Sequence, residues 1–134
     1  MLFRSVLLSA GVMLALASPA QATPRWETLP ALPEMPTAKV MGHVEAAGAK
    51  IYYATYGKGP AVVLLHGGMG NGDHFVHQVR ALSSAFRVVI VDSRGQGRST
   101  GSTSRKAPLS YHAMADDVIA VLDELELPDR KSVV

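Results

Sequence analysis

The chain has 134 residues, of which 48% are hydrophobic and 18% are charged, and it contains no cysteine. Its 13 basic and 11 acidic side chains nearly balance, which excludes the basic face that a nucleic-acid-binding protein needs. The length accommodates one domain at most. The lack of cysteine neither requires nor contradicts an oxidising compartment.

The first residues predict a secretory signal peptide. A start containing Arg4 precedes an uncharged, apolar stretch over residues 5–17, and the triplet Ala20-Gln21-Ala22 follows. This order is typical of an export signal that is cleaved after the last residue of the triplet. The alternative is a membrane anchor, which needs about 20 apolar residues, whereas this stretch is shorter and ends at Pro19. We expect residues 1–22 to be removed, leaving a periplasmic or secreted protein without a membrane span.

We expect the exported protein to begin at Thr23 when the chain is expressed with its leader in a secreting host. Signal peptidase needs small residues before the cleaved bond, and Ala20 and Ala22 provide them. N-terminal sequencing of the exported product measures this. A product that retains Met1, or that stays in the membrane fraction, would contradict the prediction.

Residues 23–38 are interpreted as a proline-rich linker. Proline fixes φ and lacks an N–H donor, so its repeated occurrence here excludes a helix or a central strand. The prolines are Pro24, Pro30, Pro33 and Pro36. We expect this segment to be extended, either lying over the surface or tethering the domain at residues 39–134.

Short apolar runs in the domain predict β-strands. Residues 40–44 and 51–56 are two β-type runs that predict a hairpin. The continuous apolar runs at residues 61–65 and 86–91 are typical of strands buried on both faces of a sheet. Residues 131–134 indicate the beginning of a further buried strand, so we expect the sheet to be incomplete.

The segment between the two buried strands predicts a first helix. Asp73 can cap its N-terminus. Phe75, Val79 and Leu82 then lie on one face, with the spacing of an amphipathic helix.

A second helix is predicted after the long polar connection at residues 92–109. Ser110 can cap it, and Pro128 follows its end. Its core-facing residues are expected to be Met114, Val118, Val121, Leu122 and Leu125. Asp116 and Asp117 are expected on its solvated side. Alternating strands and helices, with apolar strands, predict an α/β fold whose sheet is mostly parallel and covered on both faces.

Two loops resemble motifs of the α/β-hydrolase fold family. The sequence Val-Val-Leu-Leu-His-Gly-Gly at residues 62–68 resembles the strand and oxyanion loop of that family. The sequence Asp-Ser-Arg-Gly-Gln-Gly-Arg-Ser at residues 92–99 is similar to its D-x-R-G-x-G-x-S loop. The resemblance covers residues 39–134 and implies the N-terminal part of a doubly wound, esterase- or lactonase-like domain.

The resemblance assigns an oxyanion donor to the first of these loops. Acyl transfer develops negative charge on the carbonyl oxygen, and fixed N–H groups aimed at that oxygen lower the barrier. Glycines let a backbone turn sharply and keep its approach free of side chains. The family pattern places the donated N–H on Gly68, with Met69 as the less favoured choice.

His66 invites assignment as a general base, but the resemblance implies a supporting role. In the family, the catalytic histidine follows the nucleophile and the acid in the chain, so it lies beyond this half of the domain. The resemblance also implies that six further residues hold the two loops in place. These are Gly67, Asp92, Arg94, Gly95, Gly97 and Ser99.

The sequence at residues 97–101, Gly-Arg-Ser-Thr-Gly, formally matches the nucleophile motif G-x-S-x-G. That motif requires a sharp turn directly between a strand and a helix. Here five polar or glycine residues precede it and more loop follows. We therefore interpret Ser99 as structural, and we expect the nucleophile after the strand that begins at Lys131, beyond Val134.

No metal or organic cofactor is predicted. His74 and His77 are three residues apart on the first predicted helix, but no third ligand stands at a matching spacing. The glycine-rich residues 67–72 contain neither G-x-G-x-x-G nor G-K-[ST], which excludes the common nucleotide-binding loops.

Three functions remain open at this stage. The first is hydrolysis of small-molecule carboxylic esters or lactones by a serine nucleophile, with this chain alone inactive. The second uses an aspartate nucleophile, as in epoxide hydrolases and dehalogenases, whose first loop usually shows H-G-x-P where this chain has Met69. The third is a non-catalytic product, either a truncated remnant or a binding module. The residue at the nucleophile position distinguishes the first two, and the absence of any nucleophile turn would favour the third.

Overall fold

The computed structural model of the chain describes Pro24, Thr28 and residues 30–101 and 109–127. The chain divides into two compact units, Met1–Ala31 and Leu32–Val134. Few residues of the first unit are described, and every helix and strand given below belongs to the second.

Several predictions fall outside the described part of the chain. They concern the signal peptide at residues 1–22, Pro128 and the strand at residues 131–134. Residues 30–38, in the predicted linker, form neither helix nor strand. Within the described residues, none of the helices combines the length and the hydropathy that a bilayer span requires.

The predicted hairpin is confirmed and extends further than predicted. Strand β1 (Val40–Ala46) pairs antiparallel with strand β2 (Ala49–Tyr56). The two turn residues, Ala47 and Gly48, have φ of 44° and 77°. Two successive left-handed residues are what a tight hairpin turn with the correct twist demands.

Strands β3 (Ala61–Leu65) and β4 (Arg87–Val91) complete a four-stranded sheet in the order β1-β2-β4-β3. The sheet is mixed in the described part of the chain. Only β3 and β4 are parallel, whereas β2 pairs antiparallel with β4. The expectation of a mostly parallel sheet is therefore met only at this pair. The turn at residues 57–60 reverses the chain before β3, and the connection from β3 to β4 contains the helical crossover that parallel neighbours need.

The first helical segment begins earlier than predicted. A 3-10 helix (Gly72–Phe75) runs directly into helix α1 (Val76–Leu82). The N-cap is Asn71, whose side-chain oxygen accepts a hydrogen bond from the Asp73 N–H at 2.9 Å. The prediction that Asp73 is the cap was wrong, because that residue lies inside the first turn and its carboxylate forms an ion pair with Arg98.

Helix α2 (Tyr111–Glu124) begins as predicted, since the Ser110 side chain accepts a hydrogen bond from Ala113 N–H. Val121, Leu122 and Leu125 are buried against one face of the sheet. Val79 of α1 is buried against the other face. The sheet is thus covered on both faces, as the apolar runs predicted.

Candidate active site

The two predicted motif loops lie side by side at one edge of the sheet. Strands β3 and β4 are parallel, and Leu65 is opposite Val91 at their carboxyl ends. His66 and Asp92 follow directly, so both loops leave the sheet at the same end. In open α/β sheets, ligands bind outside the carboxyl ends of the strands.

His66 connects the two loops. Its Nε2 accepts a hydrogen bond from the Ser93 backbone N–H at 3.0 Å, and its Nδ1 lies 2.7 Å from the Gly67 carbonyl oxygen. A backbone N–H can only donate, so Nε2 carries no hydrogen and Nδ1 donates to the carbonyl. The imidazole is therefore neutral, with both nitrogens occupied by the loops themselves.

The backbone after His66 is uncovered. A Cβ atom added at Gly67 or Gly68 would meet nothing within 4 Å, and neither residue has a positive φ. Met69 has a φ of 63°, and its side chain is 98% exposed. Among the described residues, the amides of Gly68 and Met69 have no hydrogen-bond acceptor. This loop exposes free N–H donors and no side chain at its glycines.

Asp92 is the most heavily bonded residue of the second loop and is fully buried. Its carboxylate accepts hydrogen bonds from Gly72 N–H at 2.7 Å, from Arg98 N–H at 2.8 Å and from the Arg98 guanidinium at 2.7 Å. Burial alone raises the pKa of the Asp92 carboxyl, but the hydrogen bonds and charge of Arg98, with the Gly72 bond, lower that pKa below its ordinary value.

Acidification should weaken the fold through Asp92. Its folded pKa is depressed, so its contribution to stability is complete above the unfolded pKa of about 4 and is lost as pH falls through the folded pKa. We expect the difference in urea midpoint between the wild type and Asp92→Asn to be large at neutral pH and to shrink below about pH 4. Urea unfolding at several pH values measures it.

The control for this acid dependence is Glu45→Gln, because Glu45 is an exposed carboxylate in a surface ion pair. Its urea midpoint should follow that of the wild type at every pH. A difference between the wild type and Asp92→Asn that is constant down to pH 2 would show that the charge of Asp92 contributes nothing.

The guanidinium of Arg98 is occupied by ion pairs and a ring contact within the protein. It forms ion pairs with Asp92 and, at 3.0 Å, with Asp73. It also lies over the ring of Tyr52, with 4.0 Å between the guanidinium carbon and the ring centroid. The hydrogen bond and charge of Asp92 raise the pKa of Arg98, despite the opposing effect of burial.

Ser99 is buried, and its hydroxyl is used in both directions. It donates to the Asp92 carbonyl oxygen at 2.6 Å and accepts from the Tyr52 N–H at 2.8 Å. In the described part of the chain no histidine is hydrogen-bonded to this hydroxyl. Gly97, two residues earlier, has a φ of 55°, and a Cβ there would collide with the Asp92 carboxylate. Gly95 also has a positive φ, 74°, at an exposed position of the same turn.

Arg94 and Asp117 form a buried ion pair, which corrects the expectation that Asp117 lies on the solvated side of α2. The Arg94 Nε and Nη2 atoms donate to the two carboxylate oxygens at 2.7 and 2.5 Å. Both side chains are only 4% exposed. Asp116 is exposed, as predicted. The Arg94–Asp117 ion pair joins the loop after β4 to helix α2.

A cavity of about 360 Å³ lies between these loops and the start of α2. Gly67, Gly68 and Gln96 contribute to its lining. Its apolar lining residues are Leu109, Tyr111 and Met114. Sequence reasoning missed Gln96, which occupies one of the three variable positions of the second motif, and it missed the part that α2 plays in the site.

A metal site was not predicted, and the described residues contain no group of three histidine, cysteine or acidic side chains placed to hold an ion. His74 lies in the 3-10 helix and His77 in α1. Neither lines the cavity beside the glycine loop.

Comparisons with known proteins identify the family to which this fold belongs. A family model described as alpha/beta hydrolase fold matches residues 60–133. A putative carbamate hydrolase, RutD of Caulobacter sp. (strain K31), is 39% identical over 89 residues, which are 63% of this chain and 32% of that protein.

Two solved structures are similar as well. Est816, described as an N-acyl homoserine lactone degrading enzyme, is 40% identical with a TM-score of 0.58, over 64% of this chain and 32% of that one. The epoxide hydrolase VrEH1 from Vigna radiata is 32% identical with a TM-score of 0.59, over 66% of this chain and 29% of that one.

The chain spans about a fifth to a third of the length of the curated relatives that it matches. Within that span it carries both motif loops and the strands that hold them. Since the family model covers more than half of its residues, the chain belongs to the α/β-hydrolase fold family.

Proposed function

We propose that this chain contributes the oxyanion-binding loop of an enzyme that hydrolyses carboxylic esters or lactones through a serine nucleophile. The observation that carries the proposal is the uncovered pair Gly67 and Gly68. The Gly68 N–H has no acceptor among the described residues, and it stands at the carboxyl ends of the parallel strands, where N–H groups would stabilise the negative oxygen of an acyl-transfer intermediate.

For several other described glycines the packing or the backbone conformation requires glycine, whereas neither requires it at Gly67 or Gly68. Gly57 and Gly97 have positive φ, and a Cβ at either would collide with neighbouring atoms. Gly72 is packed so closely that a Cβ would lie 2.6 Å from Ile90 Cδ1. Glycine costs conformational entropy on folding. At positions 67 and 68 that cost is explained if another molecule approaches the backbone.

The nucleophile of the proposed reaction lies outside the described residues. Ser99 has both hydrogen-bonding directions occupied by backbone groups. His66 has both ring nitrogens occupied, so it has no free position with which to accept a proton from a nucleophile. A nucleophile on a sharp strand-to-helix turn, with its own acid and histidine, is what the fold family uses.

An enzyme with an aspartate nucleophile is the second candidate. The similarity to the Vigna radiata epoxide hydrolase favours it. The H-G-x-P pattern of such enzymes would place a proline at Met69, whose φ of 63° proline cannot adopt. The loop of this chain is thus incompatible with that pattern, which favours the serine mechanism.

The test is a substrate panel on the complete gene product. We expect turnover of an aryl ester and of a lactone, covalent labelling of one serine by a fluorophosphonate, and no turnover by the 134-residue chain alone. Epoxide opening without ester turnover or labelling would favour the aspartate mechanism. Ester turnover by the chain alone that Ser99→Ala abolishes would make Ser99 the nucleophile.

A further inference from the structure

The side-chain amide oxygen of Gln96 receives no hydrogen bond from any described residue. The Gln96 backbone is fixed, because its N–H donates to Ser93 O at 2.9 Å and its carbonyl accepts from Ser99 N–H at 3.0 Å. Its side-chain oxygen Oε1 is buried and has no hydrogen-bond donor among the described residues. Buried polar side-chain atoms almost always have a partner, so an exception needs an explanation.

The missing partner does not reflect a loosely packed loop. The carboxylate of Asp92, the guanidinium of Arg94 and the hydroxyl of Ser99 are all hydrogen-bonded within the same ten residues. Within residues 30–101 and 109–127, Gln96 Oε1 is the one buried side-chain nitrogen or oxygen without a partner. The other buried polar side chains of the loop that holds Gln96 are therefore hydrogen-bonded.

The position of Gln96 suggests where its partner comes from. Gln96 lines the same cavity as Gly67 and Gly68, and the Gly68 N–H has no acceptor among the described residues. The remaining lining includes the apolar side chains of Leu109 and Tyr111, which are 65% and 90% exposed. The cavity thus combines hydrogen-bonding groups beside the glycine pair with apolar surface that is exposed to water.

We propose that Gln96 is a specificity-determining residue, whose amide oxygen accepts a hydrogen bond from an O–H or N–H group of the substrate close to the scissile carbonyl. The proposal rests on the proposed function, because Gly68 defines where that carbonyl lies. The substrate class is acyl compounds with a hydroxyl or amide N–H beside the carbonyl and an apolar chain, which Leu109 and Tyr111 would contact.

This arrangement favours the substrate that carries the donor. Such a substrate gives Gln96 Oε1 the hydrogen-bond partner it lacks, whereas a substrate without the donor leaves a buried acceptor unpaired, which is costly. Sites built to bond a substrate O–H or N–H reject the analogue without it more strongly than apolar pockets reject a size change. Gln96 contacts the substrate in binding and takes no part in proton transfer.

The experiment compares Gln96→Leu with Gln78→Leu in the complete gene product. Leucine is similar in size and removes the amide, and Gln78 is an exposed glutamine on α1, away from the cavity. The substrates are the aryl esters of an α-hydroxy acid and of the same acid without the hydroxyl. We expect Gln96→Leu to lower kcat/KM about tenfold for the hydroxy ester, the size of one neutral hydrogen bond, and to leave the other ester unchanged.

A stability measurement separates binding from a structural role. If the amide is kept for substrate, Gln96→Leu removes an unpaired buried acceptor, and its urea midpoint equals or exceeds that of the wild type. A lowered midpoint would show that the protein itself supplies the partner, and it would overturn the proposal. So would an unchanged ratio of the two esters in an active Gln96→Leu. A wild type that hydrolyses neither ester would instead contradict the proposed function.

Discussion

Replacing Asp117 with asparagine should lower the free energy of unfolding by about 3–5 kcal/mol, the cost of breaking a buried ion pair on one side. The Arg94 guanidinium would remain buried and lose its bidentate carboxylate partner. Its remaining hydrogen bond among the described residues would be the long one to the Ala113 carbonyl oxygen, at 3.4 Å. Urea unfolding of the complete gene product, monitored by far-UV circular dichroism, measures the loss.

The matched control is Asp116→Asn, which removes the neighbouring but exposed carboxylate of the same helix. It should change the free energy of unfolding by no more than a few tenths of a kcal/mol, as is usual at exposed positions. The double variant Arg94→Met with Asp117→Leu should recover most of the stability, because apolar side chains can replace a buried pair. Equal losses for Asp117→Asn and Asp116→Asn would show that the pair does not stabilise the fold.

Gly68→Pro should reduce turnover of an aryl ester by about 100- to 1000-fold, the usual effect of losing one oxyanion donor. Proline removes the Gly68 N–H, which has no acceptor among the described residues, so no hydrogen bond of this part of the protein is broken. The Gly68 position is also spacious, and its φ is not positive. The loss should therefore appear in kcat, with a small change in urea midpoint.

His66→Ala provides the comparison for Gly68→Pro. It removes the hydrogen bond from Ser93 that joins the two loops and the hydrogen bond to Gly67 within its own loop, so it should mainly lower stability and expression. Gly68→Pro is also expected to restrict the loop, because proline fixes φ. If Gly68→Pro kept near-normal turnover while a folded His66→Ala lost the chemistry outright, the roles would be reversed and His66 would act directly.

The strands could be predicted from sequence because each one corresponds to a short run rich in apolar residues, and turn residues bound each run. The first cap was harder to predict. Asn71 and Asp73 are both good capping residues, and the choice depends on the 3-10 turn at Gly72, which Asp92 stabilises from another loop. That contact joins residues 20 positions apart, so local pattern does not contain it.

Asp117 was missed although a local signal existed. It lies four residues before Val121 and three after Met114, on the stripe that faces the sheet, whereas Asp116 is about 100° away around the helix. Its burial depends on Arg94 coming from the other side, and a polar loop gives no sign of where its arginine points. Gln96 has the same difficulty, because its surroundings are created by residues of α2 and of the glycine loop.

The cap at Asn71 has a consequence for how the protein ages. Asn71 and Gly72 form an Asn-Gly pair, the sequence in which asparagine deamidates most readily, through attack of the next backbone nitrogen on the side-chain amide. Here that nitrogen donates to Asp92 Oδ1 at 2.7 Å, and the Asn71 backbone is extended, with ψ of 175°. Its side-chain oxygen is meanwhile held by the Asp73 N–H. The fold thus protects the Asn71 side-chain amide from deamidation. The rate of deamidation is then set by how often the segment around Asn71 and Gly72 unfolds locally.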